Sequence, residues 1–335
     1  MALQTAAMLA QVDFIDILGQ HDVKKQLTSA LLAGHHVLIM GAPGVGKTTL
    51  AKNVATLLPS IEVNDCPWHC NPSKPQCPQC VGKVKTKKIS GAERFIRVQG
   101  SPDLTAEDLL GDIDPVKALK FGPLSIEAFT PGKLFKANNG VLFFDEINRA
   151  PEKLQNALLQ VLEEGRITLG SYDVDFHADF ILIATMNPTD INTERLSDVL
   201  LDRFDVIHMG YPETADVEMQ IVRAKGEKEI VISDMLLRFV VQFIRLLRDD
   251  KDLEKVPGVR ATLALVGRSQ SSAALDGRKQ VELADIKSAV VSVLAHRITL
   301  KPSLRYVRDV DDYVHEKFQY FLTKEGKSLD AGGRL

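Results

Sequence analysis

The stretch His36-Val-Leu-Ile-Met-Gly-Ala-Pro-Gly-Val-Gly-Lys-Thr48 decides the fold. It begins with an apolar run of strand length, and an amphipathic helical pattern follows over Thr48–Leu58. The segment between them fits G-x-x-x-x-G-K-[ST], a loop whose backbone amides and following helix N-terminus surround phosphate oxygens. The residues that we expect to bind a nucleotide here are Gly41, Ala42, Pro43, Gly44, Val45, Gly46, Lys47, Thr48 and Thr49. Within this set, Lys47 would reach the terminal phosphates and Thr48 would bind Mg²⁺.

Working outward, apolar runs of strand length alternate with helical periodicities up to about residue 211. The further strands are predicted at 95–98, 141–144 and 180–185, and a helix is predicted at Glu152–Glu164. Such runs, apolar on both faces and separated by helices, predict a parallel sheet covered by helices on both sides. After Tyr211 the remaining periodic segments are helical. These helices are predicted at Asp234–Arg248, Arg260–Leu275, Leu283–Arg297 and Asp311–Leu322. We therefore predict an α/β domain over 1–211, an all-α domain over 212–325 and a flexible tail over 326–335.

The composition excludes several classes of protein. With 45% hydrophobic and 25% charged residues, the 335-residue chain can bury a sizeable core, which excludes disorder over most of its length. The 41 basic and 44 acidic residues give a net charge of −3, so no global field favours nucleic acid or an anionic membrane. No apolar run approaches the ~18 residues of a membrane span. Met1–Gln11 lacks a positive region and predicts a frayed or amphipathic helix rather than a cleaved signal, so we expect a cytoplasmic protein.

An acidic pair, Asp145-Glu146, follows the predicted strand over 141–144. The carboxyl ends of parallel strands line the ligand crevice of an open α/β sheet, so these acids are expected beside the phosphate loop. There Asp145 would hold Mg²⁺ through its water shell, and Glu146 would orient and polarise the attacking water. The sequence therefore predicts hydrolysis of a nucleoside triphosphate and not binding alone.

The same motifs, together with Gly140–Ala150 and Leu158–Gly165, resemble the MoxR-like and magnesium-chelatase-type branch of the AAA+ ATPases over roughly Ile15–Arg297. The resemblance implies an AAA+ P-loop core with a parallel five-stranded sheet, followed by a smaller helical lid, and it implies ATP as the nucleotide. Within the segment Ile17-Leu-Gly-Gln20, Ile17 and Gly19 resemble the part of the family that packs on adenine.

Three more residues of the site are implied by this resemblance. The segment Ala184-Thr-Met-Asn-Pro188, at the end of the predicted strand over 180–185, resembles the sensor 1 strand of the family, and its Asn187 would lie near the attacking water. Arg203, within Leu200–Asp205, resembles the arginine finger that a neighbouring subunit supplies. The resemblance therefore implies a homo-oligomeric ring, and it implies six subunits. Arg195 is the competing candidate for the finger. Arg260 resembles the sensor 2 residue that contacts phosphate, and whether it acts in cis or in trans stays open.

Two insertions mark the branch that the sequence resembles. One, at about 104–135, resembles the helix 2 insert that faces the pore of the ring. The other, at about 166–179, alternates apolar residues around Gly170-Ser171 and predicts a hairpin before sensor 1. We interpret both inserts as substrate-facing segments that move with the ATPase cycle, and we call them levers. The alternative is that they only pack against the core and have no functional role.

The four cysteines of the chain lie within a third insert, at about 62–90. Their pattern is C-x3-C-x6-C-x2-C, formed by Cys66, Cys70, Cys77 and Cys80. Two short-spaced pairs of soft ligands favour a structural, tetrahedral Zn²⁺. An iron–sulfur cluster and reduced or redox-paired thiols are the alternatives, and His69 is a weaker candidate ligand. Because the preceding helix leads away from the carboxyl ends of the strands, we expect this insert at the edge opposite the nucleotide.

The resulting functional hypothesis is an ATP-driven ring that remodels or activates a protein partner, as MoxR-like chaperones do. By family resemblance the partner often carries a von Willebrand A domain. A nucleic-acid-dependent motor of the minichromosome maintenance type is one alternative. It is supported only by six basic residues against one acidic residue between Val81 and Arg97. The ATPase subunit of a magnesium-chelatase-like metal insertion complex is the other alternative.

Overall fold

The computed structural model describes residue 14 and residues 16–75, 77–80, 85–123, 125–169, 174–188, 196–227 and 229–330. The chain divides into two compact units. The first comprises the described residues of Met1–Gly41 and Gly46–Met209, and the second comprises Ala42–Val45 with the described residues of Gly210–Leu335. The division after Met209 falls close to the boundary that we predict at residue 211.

The first unit is built on a parallel sheet. Its strands are β1 (His36–Met40), β2 (Ile61–Asn64), β3 (Thr86–Ile89), β4 (Phe95–Gln99), β5 (Gly111–Ile113), β6 (Phe129–Pro131), β7 (Val141–Asp145), β8 (Arg166–Leu169), β9 (Val174–His177), β10 (Ile181–Met186) and β11 (Phe204–His208). Its helices are α1 (His21–Ala33), α2 (Lys47–Leu57), α3 (Ala106–Leu110), α4 (Pro115–Phe121), α5 (Lys133–Lys136), α6 (Glu152–Glu164) and α7 (Asp198–Leu201). Five strands form the sheet in the order β11-β1-β10-β7-β4, and all four neighbouring pairs are parallel. The predicted fold class, a parallel five-stranded AAA+ core, is therefore confirmed.

The middle of the sheet is apolar on both faces. The interior residues of β1, β7 and β10 are buried, as parallel strands covered by helices require. Strand β11, at the edge, is absent from the strands that the sequence predicts. Its apolar run is interrupted by Asp205 and His208, and Asp205 lies half-exposed, 3.0 Å from Nδ1 of His35. Polar residues are tolerated there because an edge strand has only one neighbour.

Helix α6 forms over the predicted residues, Glu152–Glu164. Pro151 precedes its first turn, and Gly165 ends it with φ 60° and ψ 24°, the left-handed conformation that glycine adopts without a steric penalty. Leu154, Leu158 and Val161 recur at helical spacing and are buried in the core. The helix thus presents one apolar face to the sheet.

All three predicted inserts carry antiparallel strand pairs. Strands β2 and β3 bracket the cysteine insert, β5 and β6 pair within the helix 2 insert, and β8 and β9 form the hairpin before sensor 1. The predicted turn of that hairpin, at Gly170-Ser171, lies outside the described residues.

The second unit is predominantly helical, as the family resemblance implies. Its elements are α8 (Ala215–Lys225), α9 (Asp234–Arg248), β12 (Leu253–Lys255), α10 (Val259–Leu275), α11 (Leu283–Leu294), β13 (Thr299–Leu300), α12 (Pro302–Arg305) and α13 (Val310–Asp330). A buried carboxylate, Glu218, lies among these helices. Its two oxygens each accept a 2.7 Å hydrogen bond from Arg248, and Oε1 also accepts one from the hydroxyl of Thr262 at 2.5 Å. A bidentate pair of this kind satisfies a charge that would otherwise be costly to bury.

The last helix is longer than predicted, so the predicted tail over 326–335 begins within it. Helix α13 continues from Val310 to Asp330, well beyond the predicted end at Leu322. A single glycine, Gly326, weakens a helix by only about 1 kcal/mol and does not end it when helix-forming residues follow. Residues 331–335 lie outside the described part of the chain. Among the helices that the structure describes, none is both long and apolar enough to cross a membrane.

Candidate active site

The phosphate loop joins β1 to α2. Gly44 and Gly46 have φ of 84° and 110°, values that glycine adopts without a steric penalty and that let the loop turn tightly between the strand and the helix. The Lys47 ammonium donates to the carbonyl of Gly41 at 2.5 Å, so the side chain spans the loop from its last residues back to its first. Thr48 and Thr49 follow in the first turn of α2, where the helix N-terminus favours an anion.

The segment that resembles the adenine-packing part of the family lies against this loop. A Cβ placed on Gly46 would lie 3.8 Å from Cδ1 of Ile17, and Ile17 itself is buried. Asp16 accepts a 3.0 Å hydrogen bond from the Asn53 amide of α2. Gly19 adopts φ 66°, which turns the chain into α1. The structure therefore brings Ile17 and the phosphate loop together.

Asp145 is the last residue of β7, between strands β10 and β4. Its Oδ1 accepts a hydrogen bond from the Thr185 hydroxyl at 2.7 Å, and its Oδ2 pairs with Arg97 at 2.6 Å. Arg97 comes from β4 and Thr185 from β10, so both neighbouring strands orient this carboxylate. A fixed carboxylate at the carboxyl edge of the sheet suits a hard cation such as Mg²⁺.

Glu146 has a strained backbone and a well-held side chain. Its φ of 54° and ψ of 52° are left-handed, a conformation that costs a non-glycine residue about 1 kcal/mol. Its carboxylate accepts from Gln99 at 3.2 Å and pairs with Arg149 at 3.1 Å. A Cβ placed on Gly100 would lie 2.0 Å from the carbonyl oxygen of Glu146, so only glycine fits beside this turn.

Thr185 is the most informative residue that sequence reasoning missed. It is fully buried, donates to Asp145 and accepts the backbone N–H of Glu146 at 3.0 Å. One hydroxyl therefore ties both acids to the sensor 1 strand. A threonine in the middle of an apolar strand run was the available signal, because a buried hydroxyl needs hydrogen-bond partners.

We expect Thr185→Val to raise the Mg²⁺ concentration for half-maximal ATP hydrolysis about tenfold, because Asp145 loses a donor and the Glu146 amide loses its acceptor. Magnesium titrations of purified protein measure this shift. Thr185→Ser keeps the hydroxyl and serves as the matched control. A wild-type titration curve for the valine variant would contradict the assignment.

The remaining predicted residues are placed as follows. Asn187 directly follows β10. Arg203, between α7 and β11, pairs with Glu163 of α6 within the same chain. Arg260 is the second residue of α10, and a Cβ placed on Gly44 would lie 3.2 Å from its Cγ. Arg195, the competing finger, lies outside the described residues.

The four cysteines converge as predicted. The sulfurs of Cys66, Cys70, Cys77 and Cys80 all lie within 4.8 Å of one another, and all four residues are buried. Asn64, at the end of β2, contacts both halves of the cysteine loop. Its backbone N–H donates to the Cys70 carbonyl, and its side-chain amide donates to the Cys80 sulfur. His69 is not one of the clustered residues. The donor set is therefore four sulfurs.

The thiols of this cluster have shifted pKa values. Burial strongly raises the pKa of the Cys77 thiol, and bonds to the neighbouring cysteines raise it further. Burial also acts to raise the pKa of Cys66, but hydrogen bonds from the backbone of Cys70 and Trp68 outweigh it and leave the pKa below its usual value. Backbone amides directed at a sulfur stabilise the thiolate, which is the form that binds metal.

Part of the basic run next to the cysteines is paired within the chain. Lys87 pairs with Asp65 at 2.9 Å, Arg97 pairs with Asp145, and Arg94 is buried with its guanidinium bonded to the carbonyls of Pro59 and Asn139. Lys83 lies outside the described residues, whereas Lys85 and Lys88 are exposed. Three of the six basic residues thus form ion pairs or hydrogen bonds within the chain.

Three family models match successive parts of the chain. The model described as magnesium chelatase, subunit ChlI, matches residues 13–67. The model of the ATPase family associated with various cellular activities (AAA) matches residues 80–206, and that of the AAA lid domain matches residues 255–315. Together they cover the phosphate loop, the acidic pair, the sensor 1 strand and about half of the helical unit.

A magnesium-chelatase subunit ChlI from a Nostoc species is 31% identical to the chain over 340 residues, an alignment that covers 89% of this chain and 88% of the relative. The chain belongs to the magnesium-chelatase ChlI-type family of AAA+ ATPases. A magnesium-chelatase subunit ChlI homologue from Methanocaldococcus jannaschii is 29% identical, with 86% of each chain covered. As a member of this family, the ChlI-type chain described here is an ATPase.

Solved structures agree on the fold of this ChlI-type ATPase. A mutant of Thermotoga maritima RuvB superposes with a TM-score of 0.51 at 18% identity, covering 83% of this chain and 71% of RuvB. NtrX from Brucella abortus in complex with ADP gives a TM-score of 0.50 at 16% identity, covering 95% of this chain and 64% of NtrX. At such identities the likeness concerns the fold alone.

Proposed function

We propose that ATP binds across the phosphate loop, with Ile17 and Gly19 beside the base, Lys47 on the terminal phosphates, and Thr48 and Asp145 holding Mg²⁺. The hydroxyl and the carboxylate are hard oxygen donors, which is the ligand type that Mg²⁺ prefers. When bound, Mg²⁺ neutralises charge on the phosphate oxygens.

In this proposal Glu146 accepts a proton from the attacking water and directs it at the terminal phosphate. Gln99 and Arg149 both contact Oε2 of this carboxylate, and the Thr185 hydroxyl accepts the backbone N–H of Glu146. Asn187 lies near the same water, at the tip of the sensor 1 strand. The left-handed turn at Glu146 supports the assignment, because such strain persists chiefly where function requires it.

The ATPase is further proposed to act as a homo-oligomeric ring, hexameric by the family resemblance. Arg203 would stabilise the charge on the phosphoryl group of the neighbouring subunit. Its position after α7, with a partly exposed guanidinium on Glu163, is compatible with release to a neighbour, since exposed ion pairs contribute little to stability. Arg260, close to Gly44, is proposed to contact phosphate.

We propose that the work of this ring is the remodelling or activation of a protein partner that carries a von Willebrand A domain. The observation that carries this proposal is helix α4, in the helix 2 insert. Val116 and Leu119 are 75% and 91% exposed, and Phe121 is 48% exposed. Exposed large apolar side chains on a short helix with no buried residue suit transient contacts with a protein. The pairing of Lys87, Arg94 and Arg97 within the chain reduces the support for a nucleic-acid client.

The test is ATPase stimulation by a purified von Willebrand A protein from a neighbouring gene, compared with stimulation by single-stranded DNA. We expect stimulation by the protein alone and its loss in Leu119→Ser. Leu275→Ser is the matched control, because Leu275 is 88% exposed in the helical unit. Stimulation by DNA alone would overturn the proposal in favour of a nucleic-acid motor.

A second candidate function is the ATPase subunit of a metal insertion complex. Its support is the name of the relatives, since magnesium-chelatase subunits align with nearly the whole chain. Reconstitution with the remaining subunits of such a complex, followed by a metal insertion assay, separates this function from remodelling.

The cysteine centre is proposed to hold one Zn²⁺ in a structural role. At a Zn–S distance of about 2.3 Å, a tetrahedral site separates its sulfurs by about 3.8 Å, which the observed 4.8 Å limit accommodates without large movement. An iron–sulfur cluster distributes its cysteines over several irons and needs a wider arrangement. Four cysteines that stay reduced and bind zinc also fit the expected cytoplasmic location, where disulfides are rare.

We expect plasma emission spectrometry to find about one zinc ion per chain, because a Cys₄ site binds a single ion tightly. Cys77→Ser removes a ligand and lowers the zinc content, whereas His69→Ala leaves it unchanged because the ring is outside the sulfur cluster. Purified protein with neither zinc nor iron would end the proposal of a metal site.

A further inference from the structure

Trp68 joins the cysteine centre to the rest of the first unit. It lies within the cysteine insert and is only 5% exposed. Its ring stacks on Phe176 at a centroid distance of 4.6 Å, meets Phe135 edge-on at 4.6 Å and lies 5.7 Å from Phe129. Phe135 also contacts Phe129 and Phe176 edge-on, at 5.8 and 5.5 Å. These four residues form what we call the aromatic cluster.

The three phenylalanines belong to the two inserts that we interpret as levers. Phe129 begins β6 of the helix 2 insert, and Phe135 lies in α5, at the end of the same insert. Phe176 lies in β9, the second strand of the hairpin before sensor 1. Trp68 is thus a common contact of both levers, although it belongs to neither.

Trp68 is close in sequence to two cysteines of the cluster. It lies between Cys66 and Cys70, and the described part of the loop from Cys66 to Cys80 has little regular structure beyond a short 3-10 turn. Such a loop is ordered by its cross-links and by burial, not by backbone hydrogen bonds of a helix or sheet. An ion bound to four sulfurs would therefore hold the indole in place.

We propose that Trp68 is a positioning residue through which the occupied cysteine centre holds the helix 2 insert and the hairpin before sensor 1 in their working positions. The inference rests on the proposed zinc for what occupies the centre, and it assigns that centre a role in the lever movements of the ring. Loss of the metal loosens both levers, whereas the phosphate loop, which contributes no residue to the aromatic cluster, keeps its affinity for ATP.

Hydrogen–deuterium exchange tests this coupling in the full chain. In Trp68→Leu we expect uptake over 126–136 and 174–178 to rise at least about twofold at short labelling times, with bound metal and ATP affinity unchanged. Removing the metal from the wild-type protein with a chelator produces the same rise. In the Trp68→Leu variant, the chelator causes no further rise in exchange in these segments, because the ring contacts between residue 68 and the levers are already lost.

Trp68 is also the one tryptophan of the chain, so its fluorescence reports on this cluster alone. We expect a red shift on metal removal as the indole meets water. Phe95→Leu is the control for loss of an aromatic contact elsewhere, since Phe95 stacks on Phe143 at 5.4 Å in the sheet. It leaves exchange in both levers unchanged.

The outcomes separate the coupling from the metal. Protein without metal, combined with increased exchange in Trp68→Leu, would refute the zinc proposal and retain the positioning role of Trp68. Unchanged exchange in both levers, or an equal rise across the whole first unit, would overturn the positioning role. Trp68→Phe keeps a smaller ring, and we expect an intermediate rise; the full effect of leucine in that variant would also contradict the model of ring contacts.

Discussion

Glu146→Gln is expected to bind ATP with close to wild-type affinity and to hydrolyse it at least about 100-fold more slowly. The amide keeps the size of the side chain and can still bond Gln99, but it cannot accept a proton from the attacking water. Phosphate release measures turnover, and a fluorescent ATP analogue measures binding.

The control for this variant is Glu152→Gln, which removes an exposed carboxylate from the start of α6. It should hydrolyse ATP at the wild-type rate, because that residue has no part in the proposed site. Hydrolysis by Glu146→Gln within about twofold of wild type would remove Glu146 from its proposed role.

Arg203→Ala is expected to lose about 1,000-fold in turnover, in line with the effect of arginine fingers, while ATP binding is retained. If the finger acts on the neighbouring subunit, mixing this variant with Glu146→Gln restores part of the activity. A mixed interface can then combine an intact Glu146 from one chain with an intact Arg203 from the other. Phosphate release at increasing mixing ratios measures the rescue.

Arg238→Ala is the matched control for the finger, since Arg238 also forms an exposed ion pair, with Asp216 at 2.7 Å. It should leave turnover unchanged. Full activity of Arg203→Ala would favour Arg195, whose alanine variant is then the next to measure. Inactive mixtures would contradict action between subunits.

Elements with local signals were predictable from the sequence. Helix α6 carries its periodicity, its preceding Pro151 and its terminal Gly165 within fifteen residues, and the predicted bounds are confirmed. The phosphate loop and the acidic pair were equally predictable, because fixed spacings between neighbouring residues define them. Strand β11 was missed, because its place at the edge is set by pairing with β1 and not by its own pattern.

The contacts that complete the candidate site were not predictable. Thr185, Arg97 and Gln99 lie 40, 48 and 47 residues from the acids that they bond. Only the pairing of β4, β7 and β10 brings them together, and a single sequence does not encode strand register in any local pattern. The aromatic cluster is a similar case, because it joins three inserts that the sequence presents as separate decorations.

The left-handed backbone at Glu146 has a consequence for the evolution of this chain. Glycine or asparagine at that position would adopt the same turn with less steric conflict, so the residue best suited to the local backbone is not the one found there. Selection for heat resistance and selection for turnover therefore oppose each other at this position. If variants are selected for high melting temperature alone and residue 146 is allowed to change, we expect glycine or asparagine to replace the glutamate and hydrolysis to be lost.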